Sequence, residues 1–217
     1  MSLSNIIELE VSGGHISGDL TVPDQAVGLV IFAHGSGSSR NSPRNKTIAA
    51  MLQQAGMATF LMDLLTDRED DDFANRFNID LLSGRLLLAT MELKKRPELQ
   101  HLPIGYFGAS TGAAAALHAS AWLPELIRAV VSRGGRPDLA QTFLPEVKSP
   151  TLLIVGELDE EVLALNRQAL SMLHTEKALC TVKGASHLFE EEGTLDQAGI
   201  LARDWFLDHF RSAHVNP

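Results

Sequence analysis

Residues 103–123 read PIGYFGASTGAAAALHASAWL: a short apolar run, a Gly-x-Ser-x-Gly pentapeptide at 108–112, then an alanine-rich stretch. The pattern predicts a strand that turns sharply into a helix, with Ser110 on the turn. Small residues on either side let neighbouring backbone approach. The turn itself holds the serine in a strained conformation with its hydroxyl pointing away from the sheet. At a helix N-terminus that hydroxyl also meets the positive end of the helix dipole, which favours negative charge as it develops. Because Ser and Gly cap helices in their own right, the pentapeptide takes its meaning from the rest of the chain.

Outward from it, short aliphatic and β-branched runs alternate with longer helical patterns, the rhythm of an α/β protein built from βαβ units. Strands are expected at about 6–11, 15–22, 27–33, 57–62, 103–108, 127–132, 151–156 and 177–182. Helices are expected at about 44–55, 77–95, 111–122, 160–173 and 194–210, with a short one near 138–144. IIELEV and ISGDLTVP, separated only by SGGH, alternate polar with apolar residues and read as an antiparallel hairpin at one sheet edge. LVIFA and LLIVG are continuously apolar, as suits inner parallel strands covered on both faces. The expected architecture is a mainly parallel eight-stranded sheet with helices on both sides, in one domain over residues 1–217. The connection from Gly134 to Pro150 is too short for an inserted lid domain, so an open site is expected.

A chain of 217 residues is long enough to bury roughly 70% of the surface its unfolded form exposes. A formal charge of −9 with no basic cluster argues against nucleic acid as a partner, because such binding needs a basic face. One cysteine, Cys180, excludes an internal disulfide; it is expected buried in a strand, where a thiol acts as a small hydrophobe. The start MSLSNIIELEV lacks the basic and apolar regions of a signal peptide, and no apolar run approaches the ~20 residues of a membrane span. A cytoplasmic protein is expected. The acidic stretch Asp67, Glu69, Asp70, Asp71, Asp72 lacks the alternating spacing and glycine turn of a calcium loop and reads as a solvated loop. With no His-Glu-x-x-His or paired ligand spacing, neither a metal nor another cofactor is expected.

In open α/β sheets ligands bind beyond the carboxyl ends of the strands. The residues there are His34-Gly35-Ser36, Asp63, Ser110, Arg133, Asp159 and His187. Ser110 supplies a nucleophile. His187, in the small-residue loop KGASH, follows a strand after both the nucleophile and an acid, unlike His15, His101, His118, His174, His209 and His214. His34 adjoins a glycine and suits a loop-bracing role. Asp159, just after TLLIVG, is a short carboxylate within reach of a histidine from the next strand end, whereas Glu160 and Glu161 suit the first turn of a helix and Glu157 precedes it. The loop HGSGSSR at 34–40 can face backbone amides to a substrate oxygen, and the amides of Ser36 and Thr111 are the expected oxyanion donors. A phosphate-binding reading of this loop fails, since no Gly-Lys-Ser/Thr follows and Gly-x-Gly-x-x-Gly breaks at Arg40.

Three cations lie near these positions: Arg40, Arg133 and Arg136. Either they converge on an anionic group of a substrate or they tie loops to carboxylates such as Asp63 or Asp138; the sequence leaves both open.

HGSGSSR, GASTG, SRGGRPDLA, GELDEEV and GASHLFEEEG together resemble the dienelactone hydrolase-like branch of the α/β hydrolases over nearly the whole chain, and especially its small lidless members. The chain order Ser, Asp, His is the order of that superfamily. The resemblance implies a serine hydrolase with Ser110 as nucleophile, His187 as general base and Asp159 as the acid that orients it. Dienelactone hydrolase itself uses cysteine at the nucleophile position, so Ser110 points to broader esterase-like chemistry. The expected reaction is cleavage of a carboxylic ester or lactone of a small molecule, one that carries an anionic group if the arginines face the site. Acyl transfer, thioester or peptide cleavage on the same triad, or a non-catalytic binding protein, are the alternatives.

Overall fold

The structure is a computed structural model and describes residues 3–211. Eight strands form one sheet: β1 (Leu3–Val11), β2 (Gly14–Val22), β3 (Leu29–Ala33), β4 (Ala58–Met62), β5 (Ile104–Ala109), β6 (Ile127–Arg133), β7 (Thr151–Gly156) and β8 (Lys177–Val182). Their spatial order is β1-β2-β4-β3-β5-β6-β7-β8. β1 and β2 pair antiparallel, and β2 runs antiparallel to β4; every other pairing is parallel. All eight expected strands are present, and the edge hairpin closes where Val11 pairs with Gly14.

Every residue of β3, β4, β5 and β7 is buried, as their uninterrupted apolar sequence demands. One core layer packs beneath α3 (Ile79–Lys94), α4 (Thr111–Trp122) and α5 (Glu160–Met172), through Leu82, Leu86, Ala114 and Ala169. The other packs beneath α1 (Pro43–Gln54) and α6 (Thr194–Arg211), through Ile48, Leu52, Phe206 and Phe210. Thr111 to Ser120 of α4 are all buried, and its run of alanines is what lets a helix sit enclosed on all sides.

The chain leaves β3 for β4 on one side and returns to β5 on the other, so the order reverses between β3 and β5. A crevice opens at such a reversal beyond the strands' carboxyl ends. There the loop after β3 faces the turn after β5.

The acidic stretch differs from its expectation. It contains a one-turn helix, α2 (Asp67–Asp70), whose Thr66 and Glu69 form a reciprocal capping box, followed by a 3-10 turn at Phe73–Phe77. Arg85 pairs with Glu69 and Arg76 with Asp70, at 2.5 and 2.8 Å, so two of its carboxylates hold partners while Asp70 also stays partly solvent-exposed. Residues 137–146 form 3-10 turns broken at Ala140 rather than an α-helix. Cys180 is only half-buried because β8 is an edge strand. His214 lies outside the described residues.

Candidate active site

Ser110 sits between β5 and α4 with φ 51° and ψ −122°, a left-handed conformation that costs a residue with a side chain of order 1–3 kcal/mol. The two flanking glycines make the turn possible. A Cβ at Gly108 falls 2.4 Å from Ala113 Cα, and one at Gly112 falls 2.3 Å from Ala33 O and 2.4 Å from His34 O. Both neighbours are backbone, which has no room to give.

The loop after β3 is held by His34. Its Nδ1 donates to Gly35 O at 2.9 Å and its Nε2 accepts from Leu64 N at 3.2 Å. Both bonds require the neutral tautomer, and burial pushes this imidazole below the usual histidine pKa. The bracing role expected of His34 is what the geometry shows. Gly35 then lies against Ser110, with its Cβ position 3.0 Å from Ser110 Cβ. Among the described residues, Ser36 N–H makes no backbone hydrogen bond. Thr111 N–H, on the first residue of α4, belongs to the N–H groups that helix geometry leaves unpaired. Ser36 and Thr111 both line a small cavity beside Gly35, closed by Leu64, Leu65 and Leu82.

Asp159 ends the turn after β7, and its Oδ2 accepts from His187 Nδ1 at 2.6 Å. With Nδ1 carrying that proton, the neutral ring keeps Nε2 as its acceptor. The competing carboxylates are elsewhere: Glu157 accepts from Gly184 N, and Glu160 and Glu161 open α5. The histidine loop is fastened to the acid loop by Leu158 N donating to Ala185 O at 2.9 Å, while Glu191 accepts from Ser186 N at 3.0 Å. That bond holds the exposed Glu191 carboxyl below its ordinary pKa.

Ser110 and His187 line one cleft of about 200 Å³ with Gly35, Ser36, Ser38, Ser42, Arg44, Asn45 and Arg133. No hydrogen bond joins the Ser110 hydroxyl to His187, a contact that commonly closes only with substrate in place.

Of the three arginines, Arg133 alone lines this cleft. Arg40 donates to Asp63 through its backbone N–H at 2.9 Å and through Nη1 at 2.8 Å, and its Nε donates to Asp19 at 3.3 Å. Arg136 forms a two-pronged pair with Asp138, at 2.9 and 2.8 Å. Both are loop braces. Arg133 is 6% exposed and lies over the Phe189 ring at 5.5 Å, and its Nε has no hydrogen-bond partner. Burial, with the nearby Arg44 cation, pushes its pKa down to about 10. Arg44 and Asn45 were not singled out from the sequence; their signal was the Ser42-Pro43 helix start just after the loop at 34–40.

A serine on a strained strand-to-helix turn, a histidine bonded to a carboxylate from the next strand ends, and an amide-bearing loop at the point of strand reversal define an α/β hydrolase. A crystal structure of a dienelactone hydrolase from Anabaena variabilis is 51% identical, with a TM-score of 0.92 over 96% of this chain and 98% of that one. The chain belongs to the dienelactone hydrolase-like family of α/β hydrolases. Est1E from Butyrivibrio proteoclasticus shares the fold at 15% identity, with a TM-score of 0.83 over 96% of this chain and 100% of that one. Two Mycobacterium tuberculosis proteins provisionally named phosphoribosyl transferases are each 53% identical over 204 residues, 93% of this chain and 46% of theirs. The chain therefore spans about half the length of these curated relatives. No family model matches it. Among the described residues no helix is long and apolar enough to cross a membrane, and no group of three or more His, Cys, Asp or Glu side chains is placed to hold a metal.

Proposed function

We propose that this protein hydrolyses a carboxylic ester or lactone of a small molecule through an acyl-enzyme on Ser110. The observation that carries the reading is the His187–Asp159 bond of 2.6 Å on the wall of the cleft that also holds Ser110. His187 Nε2 takes the Ser110 proton as Oγ attacks the carbonyl carbon. The Ser36 and Thr111 amides hold the oxyanion, and His187 returns the proton to the departing oxygen. Water then repeats the sequence and frees Ser110. Asp159 fixes the tautomer and stabilises the imidazolium. Transfer to another acceptor, or cleavage of a thioester or peptide, would use the same machinery.

One domain without a lid fits the open cleft, since the connection between β6 and β7 holds only the 3-10 turns at Pro137–Glu146. The name of the mycobacterial relatives belongs, in this reading, to the half of those proteins that the chain does not span. For this chain it points to phosphorylated compounds as the chemistry at hand.

The test is kcat/KM on an ester and lactone panel for wild type and for Ser110→Ala, Asp159→Asn and His187→Ala. Each substitution is expected to lower turnover by about 10³-fold or more, with effects that do not add. Near-normal turnover in Ser110→Ala overturns the mechanism.

A further inference from the structure

The cleft has a corner that ester hydrolysis does not use. Arg133, buried at the end of β6, has no acidic partner among the described residues and an unpaired Nε. Burying a cation without a counter-charge is costly, and here a second cation, Arg44, lines the same cleft. Arg44 meets Glu190 only at 3.4 Å, and that carboxylate is largely exposed on the solvent side. Arg44 also belongs to the first turn of the 12-residue α1, whose N-cap Ser42 lines the cleft too. Asn45 is buried and lines the cleft as well, and of its carboxamide only the Nδ2 group can donate to an anion there. Two guanidinium groups and a carboxamide thus line one cleft with Ser110.

A carboxylate, with one charge and two oxygens, saturates a single guanidinium fork. A phosphomonoester carries ~1.5–2 negative charges and three terminal oxygens, enough to engage both guanidinium groups together. We propose that the Arg133–Arg44–Asn45 corner is a phosphate subsite, and that the ester cleaved at Ser110 carries a phosphomonoester group. This rests on the hydrolase reading above and adds the substrate class to it. The phosphate is a handle: the acyl C–O bond breaks, the Ser110 Oγ–acyl bond forms and is later cleaved by water, and the phosphate ester stays intact.

The experiment has a kinetic arm and a binding arm. The kinetic arm compares kcat/KM for three esters that differ only in a distal hydroxyl, carboxylate or phosphomonoester, in wild type, Arg133→Gln, Arg44→Ala and Arg128→Ala. Arg128 is exposed on β6 and controls for the loss of one positive charge. Wild type and Arg128→Ala are expected to prefer the phosphorylated ester over the carboxylate by about tenfold or more, and both site variants to lose that preference. Arg44 stands at the surface end of the site, so it keeps the test alive if Arg133→Gln does not fold. The binding arm titrates inorganic phosphate calorimetrically into each protein, and binding is expected in wild type and not in the site variants.

No preference for the phosphorylated ester, or a preference unchanged in both site variants, overturns the proposal. Phosphate binding that depends on the two arginines without any ester preference shows a site for free phosphate and overturns the substrate claim. Arginine-dependent phosphate binding with no hydrolysis of any ester leaves the subsite standing and removes the hydrolase reading instead.

Discussion

Replacing Ser110 by glycine should make the protein more stable than replacing it by alanine, although both remove the proposed nucleophile. The backbone at Ser110 has φ 51° and ψ −122°; holding a residue with a Cβ there costs about 1–3 kcal/mol. Alanine keeps the Cβ and the strain, whereas glycine removes both and gives back ~0.5–1 kcal/mol through the greater freedom of its unfolded chain. The net difference is about 1 kcal/mol in favour of glycine, which in a chain of this size is ~2–4 °C in melting temperature. Paired thermal melts of Ser110→Gly and Ser110→Ala, with urea midpoints as a second measure, read it without any substrate. A glycine variant that melts at or below the alanine variant refutes the idea that the turn stores strain to present its serine.

His34 should make stability fall in mild acid. Its folded pKa lies below the ordinary value of 6.5, so between the two values the unfolded state binds more protons and stability rises with pH. Urea midpoints are expected to drop as pH falls from about 6.5 toward the folded pKa, and His34→Ala should lose part of that slope; an unchanged slope contradicts the assignment. Gly112→Ala places a methyl 2.3 Å from Ala33 O, so α4 must shift; a loss of about 1–3 kcal/mol together with reduced turnover is expected, and unaltered stability refutes the close-packing argument.

The strands were legible because burial on both faces leaves little choice of residue, as LVIFA and TLLIVG show in β3 and β7. Ser110 was legible because a strained turn needs glycine on both sides, and local sequence states that need. His187 and Asp159 followed from strand-end position and chain order. The arginines were not decidable, because pairing is set by residues the fold brings together. Asp63 and Asp19 reach Arg40 from 23 and 21 positions away, and no local pattern reports their absence from Arg133. Arg44 and Asn45 reach the cleft through the packing of α1, which periodicity does not encode. By contrast, the capping box of α2 was written in Thr66-x-x-Glu69, but one helical turn is too short to show periodicity.

The most direct test of the central claim is labelling with a neutral fluorophosphonate, followed by intact mass and peptide mapping. A single adduct on Ser110 is expected in wild type, none in Ser110→Ala, and strongly slowed labelling in His187→Ala. Labelling that survives in Ser110→Ala, or a wild type that stays unmodified while a control serine esterase reacts, would contradict the assignment of Ser110 as an activated nucleophile.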